Sequence, residues 1–403
     1  MKKILIFSLA YYPKHVGGAE IAIKEITERF SPEEVEFHMV TLRFDEKLPK
    51  EELLGAVRVH RIGFVRPCPT MADLKRFPLH YNKYLYQLWA FWKAHMLHRE
   101  HHFTGIWAMM AHSCGVPAVL FSLLHPRIAY VQTLQEGDPP EYIEKLARPV
   151  WPLFRRAFTR PTVIQCISHF LAQWARRMGA TCPVVVVPNG VALEYFSRPR
   201  DEAKILEIKK HFGKREGDIF LITTSRLVYK NGIDDVITAL VTLPKTVHFL
   251  VLGIGPEENA YRRLAEEKGV KERVHFMGQV DHKDMLSYLH ACDIFIRPSR
   301  SEGMGNSFVE AMATGLPVVG TQEGGIADFL FDAQRNPNKP TTGWAVDKDS
   351  PEQIARVIKS IISDPKKVAE VCKHAKMLVH ERYGWDTVVR AMRTEVFSYV
   401  PDA

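Results

Sequence analysis

Two glutamates, Glu302 and Glu310, sit with seven residues between them in the stretch PSRSEGMGNSFVEAMATGLPVVGTQEGG, residues 298–325. Gly303, Met304 and Gly305 follow the first carboxylate. The run from Phe308 to Ala313 reads as the opening of a helix. Asn306 or Ser307 is the expected N-cap, because a short polar side chain accepts an unpaired first-turn N–H. Glu302 is then in a glycine loop and Glu310 about one turn inside the helix. Amides at a helix start bind anionic oxygens, and glycine lets the backbone come close to a ligand. A carboxylate one turn in repels phosphate but suits vicinal hydroxyls, which donate to both of its oxygens. Two such acceptors flanking a patch of amides can hold a ribose and a second sugar on either side of a diphosphate. A surface loop with two solvated glutamates is the plainer reading. The glycines, the cap and the later Gly324-Gly325 turn count against it.

A diphosphate needs cations. The expected strand Phe220–Thr224 is followed by SRLVYKNG, which places Arg226 and Lys230 at its carboxyl end. An arginine fork and a lysine point charge there neutralise a diphosphate. Two surface cations are the alternative, and it is the weaker one where a sheet opens.

At this point the chain resembles a known family. The run SEGMGNSFVEAMATGLPVVGTQEGG resembles the E-x7-E signature of the retaining glycosyltransferases of family 4, which have the GT-B fold. The likeness extends to VPNGVALEYF, TSRLVYKNG, VLGIGP, VHFMGQV and the N-terminal Gly17-Gly18 loop. It implies two Rossmann-like α/β domains with parallel sheets facing a central cleft. The second domain would bind a nucleotide-diphosphate sugar, a UDP- or GDP-sugar, and the first most of the acceptor. Glu310 would hold the ribose and Glu302 the transferred hexose. By resemblance, Gly17 and Gly18 lie against the donor phosphates and the acceptor, His112 beside the reacting sugar, and the backbone of Gly278–Val280 against the base. The transfer would retain configuration without a covalent carboxylate intermediate. This sequence departs from many relatives in two places. Asn231, not a lysine, directly precedes Gly232, and no histidine stands near Gln135. Asp347-x-Asp349 matches the metal-binding D-x-D of another glycosyltransferase class. Ser350-Pro351-Glu352-Gln353 reads instead as a capping box with proline at the first helical position. No metal and no cofactor beyond the nucleotide-sugar co-substrate are expected.

The elements that must position these residues follow from the apolar pattern. Candidate strands are Lys3–Leu9, Phe37–Leu42, Val57–Ile62, Ile106–Ala111, Ala129–Thr133, Thr162–Ile167 and Val184–Val187, with helical patterns between them. Strands apolar throughout and separated by helices predict parallel sheets covered on both faces. Residues 1–191 form the first expected domain and 192–384 the second. By resemblance the last helix, Trp385–Tyr399, crosses back to the first. Gly17-Gly18 opens a helix after the first strand, but not as a G-x-G-x-x-G fingerprint, so a dinucleotide cofactor is disfavoured. His112 follows a strand at its carboxyl end, where it can donate or accept near neutral pH; a helix N-terminal residue with Ser113 as cap is its plainer reading. Glu136 and Asp138 face the acceptor or cap the helix after them. Ser168 is the expected N-cap of HFLAQWARR, and residues 197–202 read as the linker.

Between His80 and His102, Tyr81, Leu85, Leu88, Trp92 and His95 fall on one helical face, expected to pack inward. A membrane surface or a lipid-linked acceptor is the other partner considered for that face. His98 and His102, four apart, read as a solvated helix end rather than metal ligands.

The chain of 403 residues fits two domains. Its longest apolar run, Gly115–Leu124, is about half of what a membrane helix needs. MKKILIFSLAYYP reads as a first strand rather than a signal peptide. Net charge +8 favours anionic partners: nucleotide phosphates or an anionic membrane surface. No zinc-finger spacing or dense basic block points to nucleic acid. Six scattered cysteines without a C-x-x-C pair suit a reducing, cytoplasmic setting, at the inner membrane face if the membrane partner holds. A hexosyl transfer to a carbohydrate or lipid-linked acceptor, in cell-surface polysaccharide or glycolipid assembly, is the reading favoured. A GT-B-fold epimerase and a noncatalytic sugar-nucleotide-binding protein are the alternatives.

Overall fold

Apolar runs too short for helices, such as Ile4–Phe7 and Leu250–Leu252, have no polar face to turn to water, so they settle as central strands. The computed structural model describes residues 1–14, 17–69 and 73–403. It divides into two compact units, Met1–Asn189 with Trp385–Ala403, and Gly190–Gly384. Residues 197–202 lie within the second unit.

The first unit holds β1 (Lys2–Phe7), β2 (Val35–Leu42), β3 (Glu51–Leu54), β4 (Val57–Ile62), β5 (Gly105–Met109), β6 (Ala129–Leu134), β7 (Val163–Cys166) and β8 (Val184–Val186). They form one sheet in the order β3-β4-β2-β1-β5-β6-β7-β8, parallel except where β3 pairs antiparallel with β4. All seven expected strands are present. The eighth, β3, gives no apolar run, because Glu51 and Glu52 head it and its residues alternate between exposed and half-buried.

The second unit holds β9 (Ile219–Thr224), β10 (Val247–Leu252), β11 (Val274–Gly278), β12 (Ile294–Arg297), β13 (Val318–Gly320) and β14 (Trp344–Ala345), all parallel, in the order β11-β10-β9-β12-β13-β14. Parallel sheets with helical crossovers are therefore present in both units, as the apolar pattern predicts. Each sheet reverses its direction of growth once, between β1 and β5 in the first unit and between β9 and β12 in the second. At such a switch point the flanking loops diverge and leave a crevice at the carboxyl ends of the strands.

The expected inward face of the 80–102 helix is met only in part: Leu85 and His95 are half-buried, but Tyr81, Leu88 and Trp92 are exposed. In α2 (Asn82–His101) the buried side chains are Asn82, Tyr86, Ala90, Ala94 and Leu97. Tyr81, Tyr84, Leu88, Trp92 and Met96 are 45%, 62%, 55%, 58% and 65% exposed. The small Ala90 and Ala94 let the helix backbone lie close to the sheet, and the buried Tyr86 hydroxyl donates within the gap between Ser8 O (3.1 Å) and Val40 O (3.0 Å). The larger side chains are thereby turned outward.

The last residues complete the first core. After the Trp385–Ala391 helix the chain makes a wider turn and then buries Phe397 against Phe30, Phe37 and Trp107, at ring distances of 5.6, 6.2 and 5.2 Å. Val400 packs on β5 where Gly105 has no side chain. Phe397→Ala should lower the stability of this unit by about 3–5 kcal/mol, read as a lower denaturant midpoint. A midpoint unchanged from wild type would show that the segment is an ornament rather than part of the core.

Candidate active site

The second unit brings together most of the residues singled out above. Arg226 and Lys230 follow β9, and Glu302–Glu310 follow its neighbour β12, so both groups border the same switch point. The loops are fastened directly. The Arg300 N–H donates to Lys230 O at 2.7 Å. Gly232, with φ +68°, sits so close to Pro298 that a Cβ would lie 2.1 Å from its carbonyl oxygen. Arg226 is exposed and Lys230 half-buried.

The Arg300 side chain reinforces this joint. Its guanidinium is bidentate to Asp234 (2.9 and 2.9 Å), reaches Asp235 (3.1 Å) and Asp349 (2.6 Å), donates to Tyr229 O (2.7 Å) and lies 4.1 Å over the Tyr229 ring. Burial pushes the Asp235 carboxyl up to about 6 despite the attraction of Arg300. The Asp347-x-Asp349 pair is thus engaged in ion pairs, Asp349 with Arg300 and Asp347 with Arg335 at 2.8 Å. The expected capping box is absent. Ser350 Oγ donates to Lys348 O, and Gln353 Oε1 accepts from Asp347 N, so neither side chain caps the helix that starts at Pro351.

The expected N-cap at Asn306 or Ser307 is also corrected. The helix spans Asn306–Thr314 and its N-cap is Gly305, at φ 99° and ψ 61°, with no capping side chain. Asn306 is already the first helical residue. Ser307 cannot fold back as a cap because its hydroxyl accepts from Arg297 Nη1 at 2.9 Å. That left-handed conformation favours glycine, and a Cβ there would press on Phe308 at 2.9 Å and Arg297 at 3.3 Å.

Arg297, 7% exposed at the end of β12, is the hub of this turn. Its Nη2 donates to Glu302 Oε2 at 2.8 Å, and its guanidinium lies 4.9 Å over the Phe308 ring. One oxygen of Glu302 is therefore held, and the orientation of the carboxylate is set before any ligand arrives. The Glu302 carbonyl accepts from Gly325 N at 3.0 Å, which packs the Gly324-Gly325 turn onto Gly303 and Met304, both buried. Glu310, with a side chain 23% exposed, points toward His282, 3.9 Å away. Gly278, at the end of β11 with φ +68°, gives its carbonyl to Gly253 N at 2.7 Å, and half-buried Val280 follows it.

In the first unit the same logic holds. Gly17 and His112 follow β1 and β5, which flank that sheet's switch point. Gly17 is the N-cap of α1 (Gly18–Thr27), and its N–H donates to Glu20 Oε2 at 2.7 Å. Burial raises the Glu20 carboxyl above its ordinary value. Gly17 and Gly18 are exposed.

His112 is the second residue of α3 (Ala111–Leu124), which begins after Met110 at φ 65°, a conformation rare for a side chain of this kind. Ser113 does not cap this helix. Glu136 does, from the end of β6: Oε1 accepts from Ala111 N at 2.6 Å and Oε2 from Gln135 N at 2.9 Å. Glu136 thus caps the helix before it, not the one after. It also lies 3.6 Å from His112 Nδ1, while Nε2 meets Ser113 Oγ at 2.9 Å. Ser168 caps its helix as expected, accepting from Leu171 N.

Arg297, Arg300 and Glu136 are the residues that sequence reading missed in this role. The signal for Arg297 was an arginine closing an otherwise apolar strand, IFIR. Arg300 and Glu136 carry no local signal, since their partners come from distant segments.

Comparison with known proteins bears on the family and the fold. Residues 16–195 match the family described as Glycosyltransferase Family 4, and residues 204–377 match Glycosyl transferases group 1. A GDP-mannose-dependent monoacylated alpha-(1-6)-phosphatidylinositol monomannoside mannosyltransferase of Corynebacterium glutamicum is 27% identical over 58% of this chain and 61% of its own length. The chain thus spans about three-fifths of that relative. An uncharacterized glycosyltransferase of Methanocaldococcus jannaschii is 22% identical over 96% of both chains. Among solved structures, Anabaena HepE in complex with UDP and glucose superposes with a TM-score of 0.75 at 20% identity, covering 99% of this chain and 100% of that one. The loops at the two switch points, the matches to both halves and the shared architecture lead to one conclusion: the chain belongs to glycosyltransferase family 4 and has the GT-B fold.

Proposed function

We propose that this protein transfers a hexose from a UDP- or GDP-sugar to a hydroxyl acceptor, with retention at the anomeric carbon, in the assembly of a glycolipid or cell-surface polysaccharide. The observation that supports this reading is the joint between the β9 and β12 loops, which ties the segment carrying Arg226 and Lys230 to the loop that leads into the glycine turn. Glu310 takes the ribose hydroxyls. Glu302, with Oε2 occupied by Arg297, offers Oε1 to the hexose. Arg226, Lys230 and the helix start at Asn306 face the diphosphate, and Gly278 and Val280 the base. As the bond from the anomeric carbon to the phosphate oxygen breaks, the electron pair leaves with the diphosphate. The acceptor hydroxyl oxygen then bonds to the carbon on the face just vacated, and its proton passes to the diphosphate oxygen that has left. The departing group needs charge stabilisation more than a proton, which a preorganised cation pair provides. His112, oriented by Glu136, serves the sugar side together with Gly17 and Gly18.

A lipid-linked acceptor is favoured by α2. Its exposed row of Tyr81, Tyr84, Leu88, Trp92 and Met96 is apolar and aromatic. Residues 74–99 contain five Lys or Arg and no Asp or Glu. Aromatic side chains with basic neighbours suit the interface of an anionic bilayer. Among the described residues no helix is long and apolar enough to cross a membrane. The mannosyltransferase relative from Corynebacterium is named for a lipid acceptor.

Nucleotide release from UDP- and GDP-sugars, measured with and without a panel of acceptors, tests the reaction. Acceptor-dependent release with a retained linkage is expected. A free isomer made without acceptor would identify an epimerase instead, and binding without any product a sensor. Glu310→Ala and Arg226→Ala should each lower kcat/KM by about 10²–10³ with unfolding midpoints unchanged. Wild-type rates in both would remove the site assignment. For the membrane, sedimentation with vesicles containing phosphatidylglycerol should show binding that weakens with salt and is lost in a Leu88→Ser, Trp92→Ser variant. Equal binding by that variant would place the contact elsewhere.

A further inference from the structure

The amino edge of the first sheet, opposite the loops that carry Gly17 and His112, holds a second convergence of side chains. Glu36 and His38 come from β2 and His101 from the last turn of α2. One donor atom from each lies within 4.8 Å of the other two. His38 is fully buried, and Glu36 and His101 are half-buried.

The hydrogen bonds behind His38 determine which of its nitrogens is bare. The Glu51 carboxylate, 3.0 Å from Lys93 Nζ, can only accept, so His60 Nδ1 donates to it at 3.0 Å. Neutral His60 is left with a lone pair on Nε2. That nitrogen is 3.1 Å from His38 Nδ1, which therefore carries the hydrogen. His38 Nε2 then presents a lone pair to Glu36 Oε1 at 2.8 Å. Both are acceptors, and two acceptors this close need a cation to join them. Lys3 does not fill the role, because its Nζ sits 3.7 Å from the other oxygen, Oε2.

We propose that Glu36 Oε1, His38 Nε2 and a ring nitrogen of His101 bind one divalent transition-metal ion of the zinc type. Two imidazoles and a carboxylate are a donor set suited to zinc, and three protein ligands leave a fourth position for water on the half-exposed side. The Glu51–His60–His38 relay fixes the tautomer and direction of the buried ligand, as outer-shell partners do in metal sites. Ligand bonds of about 2.0–2.2 Å require the 2.8 Å pair to open by a few tenths of an ångström, within reach of the half-buried Glu36 side chain. The ion ties the end of α2 to β2. It takes no part in sugar transfer and is independent of the reaction proposed above.

The full chain, stripped with a chelator, is titrated with CoCl2 and then ZnCl2. One equivalent of Co(II) should give tetrahedral visible absorption bands, zinc should abolish them, and either metal should raise the Tm. Glu36→Gln and His101→Ala should each weaken binding at least ~10-fold, the size of outer-shell losses, with a metal-free Tm equal to that of wild type. These two are chosen because replacing buried His38 endangers the fold itself. A wild-type chain with neither bands nor a Tm shift overturns the proposal and leaves a proton between His38 and Glu36. Undiminished binding in both variants also overturns it, and places the metal elsewhere, as at His98 and His125, whose rings are 4.5 Å apart.

Discussion

The backbone bond from Arg300 N–H to Lys230 O joins two loops that chain topology would otherwise send in opposite directions. A parallel sheet that grows outward from β9 on both sides must open where the direction reverses. An open crevice is useful to a ligand only if its walls are held. Arg300 supplies that hold through three aspartates and the Tyr229 carbonyl, and Gly232 permits the contact with Pro298 that a side chain would prevent. The loop after β9 and the loop after β12 are held against each other by this joint.

A second arginine solves a different problem. Glu302 sits in the turn that opens a helix, where free amides attract negative charge and a loose carboxylate would be drawn onto them. Arg297 binds one of its oxygens and also takes the Ser307 hydroxyl, so the turn is charge-balanced and fixed at both ends. The arginine is buried; Ser307 and Glu302 accept from its two Nη atoms and the Phe308 ring lies under its face, while its Nε has no hydrogen-bond partner among the described residues. Burying a cation is costly unless it is paired and hydrogen-bonded, and here both conditions are met by residues of the same loop.

Much of this was legible in the sequence, for physical reasons that can be named. The parallel sheets follow from strands apolar on both faces. The glutamates, glycines and cations were recognisable because their spacing is local, within one loop and one turn of helix. The errors share a cause as well. Reading Asn306 or Ser307 as the cap applies side-chain preference, but the fold used the backbone freedom of Gly305 instead. Reading the aromatic stripe of α2 as its inner face follows side-chain size, whereas Ala90 and Ala94 were the residues that allowed close packing. Strand β3, with its two glutamates, has no apolar run to reveal it. Glu136 capping α3, and Arg300 gathering aspartates from residues 234 to 349, depend on contacts between distant segments that spacing cannot express.

The placement of Phe397 and Val400 in the first core bears on how the chain is made. A unit whose sheet begins at Lys2 cannot seal its interior until Trp385–Ala403 has been synthesised and released. Gly190–Gly384 is continuous and has no such wait. On the ribosome, where domains ordinarily fold in the order of their synthesis, the later half is therefore free to mature first, while the earlier half stays unsealed and dependent on whatever shields nascent chains.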